Sequence, residues 1–236
     1  LHPNNIFIPT HKALSKILSH YNIADFSYQI LDGGIENVSM IIETKDEKYV
    51  LRVYTQDRKT NEDILLEIRF QNFLKVAGIP TPKIFPDKNG DVLYSGLVNE
   101  KIWQAILMEF IEGQSVTTNP SRELVSELAQ LQARIHILGS DFAALCSPGP
   151  SITELVTLLP KRLTGIPNVN ADIASFVDRV KVYSFKFNSK LPSAYNHRDI
   201  DFDGNVLTKN NHVVGIIDFD DLLYSPMVVC LGYTLW

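Results

Sequence analysis

Three short runs near the start of the chain, 27–31, 38–43 and 49–54, are dense in β-branched and aromatic residues and read as antiparallel strands. Lys45-Asp46-Glu47-Lys48 is a polar link of hairpin length between the second and third, and Asp32-Gly33-Gly34-Ile35-Glu36-Asn37 is a glycine-bearing loop between the first and second. A helix signal follows. Asn61 is its expected cap, Glu62 and Asp63 suit the positive end of the helix dipole, and Leu66, Phe70, Phe73 and Ala77 recur at helical spacing until Gly78 and Pro80 end it. Strand-like runs near 92–94 and 105–108 complete a small sheet.

After Glu112-Gly113 the periodicity changes. Asn119-Pro120 starts a helix carrying Leu124, Leu128, Leu131, Ile135 and Leu138 in steps of four and three. Gly and Pro punctuate the stretch from Gly139 to Asn170, with shorter helical patterns at 155–163 and 171–183. The last quarter returns to a hairpin, in which 206–207 and 213–217 flank the turn Lys209-Asn210-Asn211.

With 236 residues, 45% hydrophobic and 21% charged, the chain has the composition of one or two ordinary soluble domains. Its 22 Lys+Arg against 27 Asp+Glu leave a formal net charge of -5, so no global positive field exists to hold nucleic acid or anionic lipid. Cys146 and Cys230 lack zinc-site spacing and read as packing residues, which suits a reducing compartment, the cytoplasm. No apolar run is long enough to span a bilayer and the first residues lack the order of a signal peptide. The apolar segment 227–236 stops without a polar tail, and further covering helices are expected beyond it.

Oxygen-bearing side chains crowd the last quarter: Asn196-His197-Arg198-Asp199-Ile200-Asp201-Phe202-Asp203-Gly204-Asn205, the hairpin, then Asp218-Phe219-Asp220-Asp221. A strand ending in Ile216-Ile217-Asp218 pushes a carboxylate out of an apolar core, where it can meet Asn205 at the start of the same hairpin. Hard oxygen ligands of this kind suit Mg²⁺, which takes one or two protein carboxylates and completes its shell with phosphate oxygens and water. Any one of these Asp residues alone would more often be a solvated turn residue; their order carries the signal.

His197-Arg198-Asp199, then Asn205-Val206-Leu207, then Ile217-Asp218-Phe219-Asp220-Asp221 resembles the catalytic loop and metal segment of protein-kinase-like phosphotransferases, and is most similar to the aminoglycoside phosphotransferase and choline kinase family. Upstream, Gly34-Ile35-Glu36-Asn37 before Ser39 resembles the family's phosphate-covering loop, particularly in its homoserine kinase branch. The strand 49–54, Glu67, Ile79-Pro80-Thr81-Pro82 and the hinge wording 107–113 follow in family order.

The resemblance implies an α+β, bilobal protein-kinase-like fold: an N-terminal lobe at 1–113 with an antiparallel sheet and one helix, a hinge at 109–113, and a mostly helical lobe with a catalytic hairpin at 114–236. It implies a kinase that transfers the γ-phosphate of ATP or GTP, with Mg²⁺, to the hydroxyl of an amino sugar, an amino alcohol or an amino acid such as homoserine. Asp199 would be the catalytic base and Asn205 and Asp218 the metal ligands, with Asp201 in reserve. Gly33, Gly34, Asn37, Ser39, Arg52, Glu67, Glu109 and Ile111 would hold the nucleotide. The acidic cluster favours a cationic acceptor.

The residues speak to some of this by themselves. Val50, Arg52 and Tyr54 share a strand face by period two, so Arg52 needs an anionic partner, which Glu67 and phosphate would supply. His197 is expected to brace the loop and His136 to be a buried, hydrogen-bonded histidine. Two departures stand out: Arg52 occupies the family's usual Lys position, and Asn205 lies six residues after Asp199 where the family has five. They motivate the competing reading, a nucleotide-binding but inactive kinase-like scaffold.

Overall fold

In the computed structural model, residues 8–31, 37–54, 59–98, 101–146, 175, 178, 179, 182 and 191–234 are described. The loop with Gly33 and Gly34, the pattern at 155–163 and most of 171–183 lie outside them. The architecture is α+β, and the chain divides into two compact units, Leu1–Gln114 with Val214–Ile217, and Ser115–Val213 with Asp218–Trp236.

The first unit is built on an antiparallel sheet. Strands β1 (Ser27–Ile30), β2 (Val38–Glu43), β3 (Lys48–Tyr54), β4 (Ile84–Phe85), β5 (Tyr94–Val98) and β6 (Lys101–Glu109) are ordered β1-β2-β3-β6-β4, with β5 also paired to β6. The sheet has two covered faces because β3 alternates between them. Leu51 and Val53 join Val38, Met40 and Ile42 of β2 in a core with helix α1 (His11–Ser19). The alternate residues Val50 and Tyr54 pack with Ile64 and Ile68 of helix α2 (Asn61–Val76). Helix α1 was not expected, although Thr10 caps it and Ala13, Leu14, Ile17 and Leu18 form one buried face. Burying each of the larger three contributes about 1.5–3 kcal/mol before chain entropy is charged.

The cap of α2 is Thr60, not Asn61. Thr60 Oγ1 accepts from the Asp63 backbone at 3.2 Å while Asp63 Oδ2 accepts from the Thr60 backbone at 2.9 Å, a reciprocal capping box. At the other end Gly78, at φ 79°, donates to the Lys75 carbonyl and Ile79 to the Leu74 carbonyl, closing the helix in a Schellman turn. The buried stripe of α2 is Ile64, Glu67, Ile68, Phe70, Gln71 and Leu74, whereas the expected Leu66 and Phe73 are half-buried. Polar Glu67 and Gln71 interrupt the stripe, which is why hydropathy alone misplaced it.

The second unit holds helix α3 (Arg122–Leu145), begun by Ser121 Oγ accepting from Leu124 N at 3.1 Å. It starts later than Asn119-Pro120, since Asn119 is in the left-handed region at φ 44°. It also runs straight through Gly139, which the sequence marks as punctuation; this glycine is there for packing against strand β7 (Ser193–Asn196). Strand β7 pairs antiparallel with β10 (Leu223–Pro226), two strands too short and mixed to be signalled by sequence. Between them run β8 (Val206–Lys209) and β9 (His212–Ile216), joined through Asn210 and Asn211 at φ 51° and 61°, the left-handed pair of a two-residue hairpin turn. Helix α4 (Met227–Thr234) follows β10. No helix among the described residues is long and apolar enough to cross a membrane.

Candidate phosphotransfer site

The β7–β10 ladder brings the two acidic segments to one place. It pairs Asn196 with Leu223, so the loop that begins at His197 and the turn that ends at Leu222 leave the same end of the same ladder. His197 is fully buried and its ring lies 4.6 Å from that of Phe219, which joins the two segments directly. Its Nδ1 accepts from the Asp199 backbone at 3.4 Å, in line with the bracing role expected of it.

Asp199 and Asn205 meet side chain to side chain. The Asn205 amide donates to Asp199 Oδ2 at 2.8 Å and to the Asp199 carbonyl at 3.0 Å. The extra residue between them is taken up by a turn in which Asp201 Oδ1 accepts from Gly204 N at 2.6 Å. The outer side of this loop is tethered where Val116 N donates to the Phe202 carbonyl at 2.7 Å. Asp218 follows the strand-like exit of β9 in the left-handed region, at φ 65°, and its Oδ1 accepts from Asp220 N at 3.3 Å. A non-glycine residue held there is strained, and such strain gathers at functional sites. Arg198, which the sequence left without an account, is also left-handed, at φ 71°.

The electrostatics follow from this convergence. Burial first, then the carboxylates of Asp201 and Asp221, push the Asp199 carboxyl above the usual carboxylate range; His197 pulls it down and Asp218 adds to the rise. A half-buried carboxylate among like charges is a place where a cation or a transferable proton is welcome.

In the first unit, the sheet register sets Ser39 on β2 directly opposite Arg52 on β3. Arg52 is buried on the face that α2 covers, with its guanidinium carbon 5.8 Å from the centre of the Tyr54 ring. Asn37, just before β2, is buried. Glu67 lies on the buried side of α2 and pairs with Lys59. Lys59 is the charged residue the sequence did not flag; its place one residue before the Thr60 cap was the available hint. Glu109, at the end of β6, has its carboxylate taken by Lys75 Nζ at 3.0 Å and by Lys83 N at 2.9 Å, while its own N–H donates to the Lys83 carbonyl at 2.8 Å. Ile111 follows it, half-buried.

His136 is buried, as expected, and its Nε2 has no hydrogen-bond partner among the described residues. Burial holds its imidazole below the usual range. Cys146 and Cys230 are free thiols.

Similarity to known proteins bears on the family and the fold. The profile of the phosphotransferase enzyme family (APH) matches residues 27–236. Homoserine kinase of Bradyrhizobium sp. (strain ORS 278) is 25% identical over 225 residues, 93% of this chain and 68% of that protein. Homoserine kinase of Bartonella tribocorum is 25% identical over 240 residues, 98% of this chain and 70% of that one. Among solved structures, amicoumacin kinase hAmiN in complex with AMP-PNP, Ca²⁺ and Ami superposes with a TM-score of 0.79 at 18% identity, over 95% of this chain and 67% of that one. A microcompartment-associated aminopropanol kinase gives 0.76 at 17% identity, over 95% and 73%. Spectinomycin phosphotransferase APH(9)-Ia, in complex with ADP and spectinomycin, gives 0.69 at 18%, over 96% and 73%. The fold is therefore the protein-kinase-like one of these enzymes, and the chain belongs to the phosphotransferase enzyme family.

Proposed function

We propose that this phosphotransferase is a small-molecule kinase that moves the γ-phosphate of ATP, or of GTP, to the hydroxyl of an amino alcohol or amino acid, with homoserine the first acceptor to try. The observation that carries the reading is the Asn205 amide on both the carbonyl and the carboxylate of Asp199, in the same acidic cluster as Asp218.

Asp199 orients the acceptor hydroxyl and takes its proton; its raised proton affinity suits a base that must capture a proton in the transition state and release it afterwards. Asn205 keeps one Asp199 oxygen committed, which fixes the carboxylate's rotation. Asn205 and Asp218 would hold Mg²⁺, and the donor set fits. The Asn205 amide nitrogen is engaged by Asp199, which leaves its Oδ1 to face a cation beside the Asp218 carboxylate, and Mg²⁺ asks for one or two carboxylates and an open remainder. Bound there, the ion would neutralise charge on the phosphates. Ser39, Arg52 and Asn37, with Gly33 and Gly34, would face the phosphates, Glu67 would orient the basic side chains near it, and the backbone at Glu109 and Ile111 would take the base of the nucleotide. The acidic surroundings of Asp199 favour a cationic acceptor. Two free cysteines agree with a cytoplasmic site of action.

The competing scaffold reading rested partly on the six-residue spacing, and the Asp201–Gly204 turn absorbs that spacing without separating Asp199 from Asn205. The test is release of ADP or GDP with Mg²⁺ over homoserine, amino alcohols, aminoglycosides and sugars, for the wild type and Asp199→Asn. A nucleotide-dependent rate on one acceptor that falls about 10³-fold in Asp199→Asn is expected. Equal, negligible rates for both proteins on every acceptor would sink the kinase reading.

A further inference from the structure

The loop that carries Asp199 and Asn205 and the turn that carries Asp218 both hang from the last pair of the β7–β10 ladder, Asn196 with Leu223. We propose that Asn196 is the positioning residue of this site, its side-chain amide locking that last pair to the Ala194–Ser225 pair two steps back along the ladder so that both segments keep a fixed separation. The proposal rests on the reading of Asp199, Asn205 and Asp218 given above.

Asn196 is fully buried. Its Nδ2 donates to the Ala194 carbonyl on its own strand at 2.8 Å and to the Ser225 carbonyl across the ladder at 2.8 Å, with Ser225 Oγ at 3.1 Å. Two N–H groups thus meet two main-chain carbonyls of one cross-strand pair, Ala194 with Ser225. The same side chain is a poor device for stability alone. Its Oδ1 is buried with no partner among the described residues, and an idle buried acceptor offsets what the donors contribute. What the amide does supply is geometry at the ladder end. His197 comes next in the chain with its ring against Phe219, and Asp199 takes its place from His197. A shift of about 1 Å at such a point is enough to cost orders of magnitude in rate.

The test is Asn196→Leu, which keeps the bulk and removes the donors. Amide exchange in 197–205 and 218–222 should quicken about tenfold while α3 stays protected, the Mn²⁺ dissociation constant should rise about tenfold, and kcat should fall about tenfold with the nucleotide KM unchanged. Ser225→Ala, which leaves both carbonyls in place, should stay within about twofold of wild type on every readout. Unchanged exchange and Mn²⁺ affinity in Asn196→Leu, or exchange that quickens equally throughout α3, overturns the proposal, as does a tenfold loss in Ser225→Ala. Should Asn196→Leu fail to fold, Asn196→Ser is judged by the same criteria. If the wild type neither transfers phosphate nor binds Mn²⁺, the proposed function falls, and exchange in 197–205 still decides the role of Asn196.

Discussion

Gly139→Ala is the substitution with the sharpest structural consequence. A Cβ at this position would stand 2.1 Å from the Tyr195 carbonyl oxygen, 3.1 Å from its carbon and 3.3 Å from its nitrogen, all backbone atoms of β7. Real Cβ contacts do not come under 3.0 Å, so α3 and β7 must part by roughly 1 Å. No flexible side chain can yield in their place. The surroundings are equally fixed, for the Tyr195 ring is buried edge-on against Phe142, on the next turn of α3, at 5.4 Å. Overpacking costs about 1–3 kcal/mol, and a clash with a strand backbone belongs at the upper end. For a chain of this size, about 3 kcal/mol lowers Tm by roughly 6–12 °C. Since Tyr195 stands two residues before His197, kcat of the folded fraction should fall about 10–100-fold as well. Gly90→Ala is the control: at φ 93° with nothing within 4 Å it introduces backbone strain alone, about 1 kcal/mol, far from the site in sequence. Thermal melts followed by near-ultraviolet circular dichroism, with phosphate-transfer rates on the same samples, make the comparison. A Gly139→Ala protein that melts within 1–2 °C of wild type, or that melts no lower than Gly90→Ala, would refute the close approach of α3 to β7.

Asp201 and Asp87 give two further expectations. Asp201→Asn should keep near-normal Mg²⁺ dependence, because an amide oxygen can still accept from Gly204 N, whereas Asp201→Ala removes the bond that closes this turn, leaves the exposed N–H to water, and should cost about 1 kcal/mol and most of the activity; a loss of Mg²⁺ affinity in Asp201→Asn would make Asp201 a ligand instead. Burial pushes the Asp87 carboxyl up, but the backbone N–H groups of Asp91 and Asn89 and the His20 ring outweigh it and hold it below its ordinary value of 3.8. Its stabilisation is thus present above that value and lost as pH falls through the lowered one, so Asp87→Asn should cost about 1–2 kcal/mol near pH 7 and unfold with a shallower acid dependence, read from urea midpoints between pH 2 and 7.

The antiparallel core was legible because its signals are local. Strands β2 and β3 alternate cleanly and the link between them is a hairpin turn, so period and turn chemistry agree. The elements that escaped are those whose stability is tertiary. Helix α1 has only nine residues, too few to stand alone in water, and forms because Leu14, Ile17 and Leu18 find the sheet. Strands β7 and β10 have four residues each and depend on one another and on α3. Gly139 misled for a related reason: in sequence a glycine marks a break, and only the strand backbone lying against it shows that the helix needed a missing side chain.

The site was legible as residue types in order, not as a mechanism of support. Asp199, Asn205 and Asp218 could be named as candidates because their order along the chain resembles that of the family's catalytic loop and metal segment. The departure in spacing could not be weighed in the sequence, since a six-residue step brings Asn205 back to Asp199 only if some side chain folds the intervening loop. Asp201 does this through a single hydrogen bond, and the same bond gives the residue held in reserve as a base or ligand an occupation of its own. Arg198 makes the complementary point. At φ 71° it stands where glycine would be unstrained, so a loop with one residue more than the family pattern also holds a side chain in the left-handed region beside Asp199. A loop with no external support would relax such a residue. This one is pinned at both ends, by Asn196 on the ladder and by Asn205 on Asp199, and the strain is retained between the two anchors.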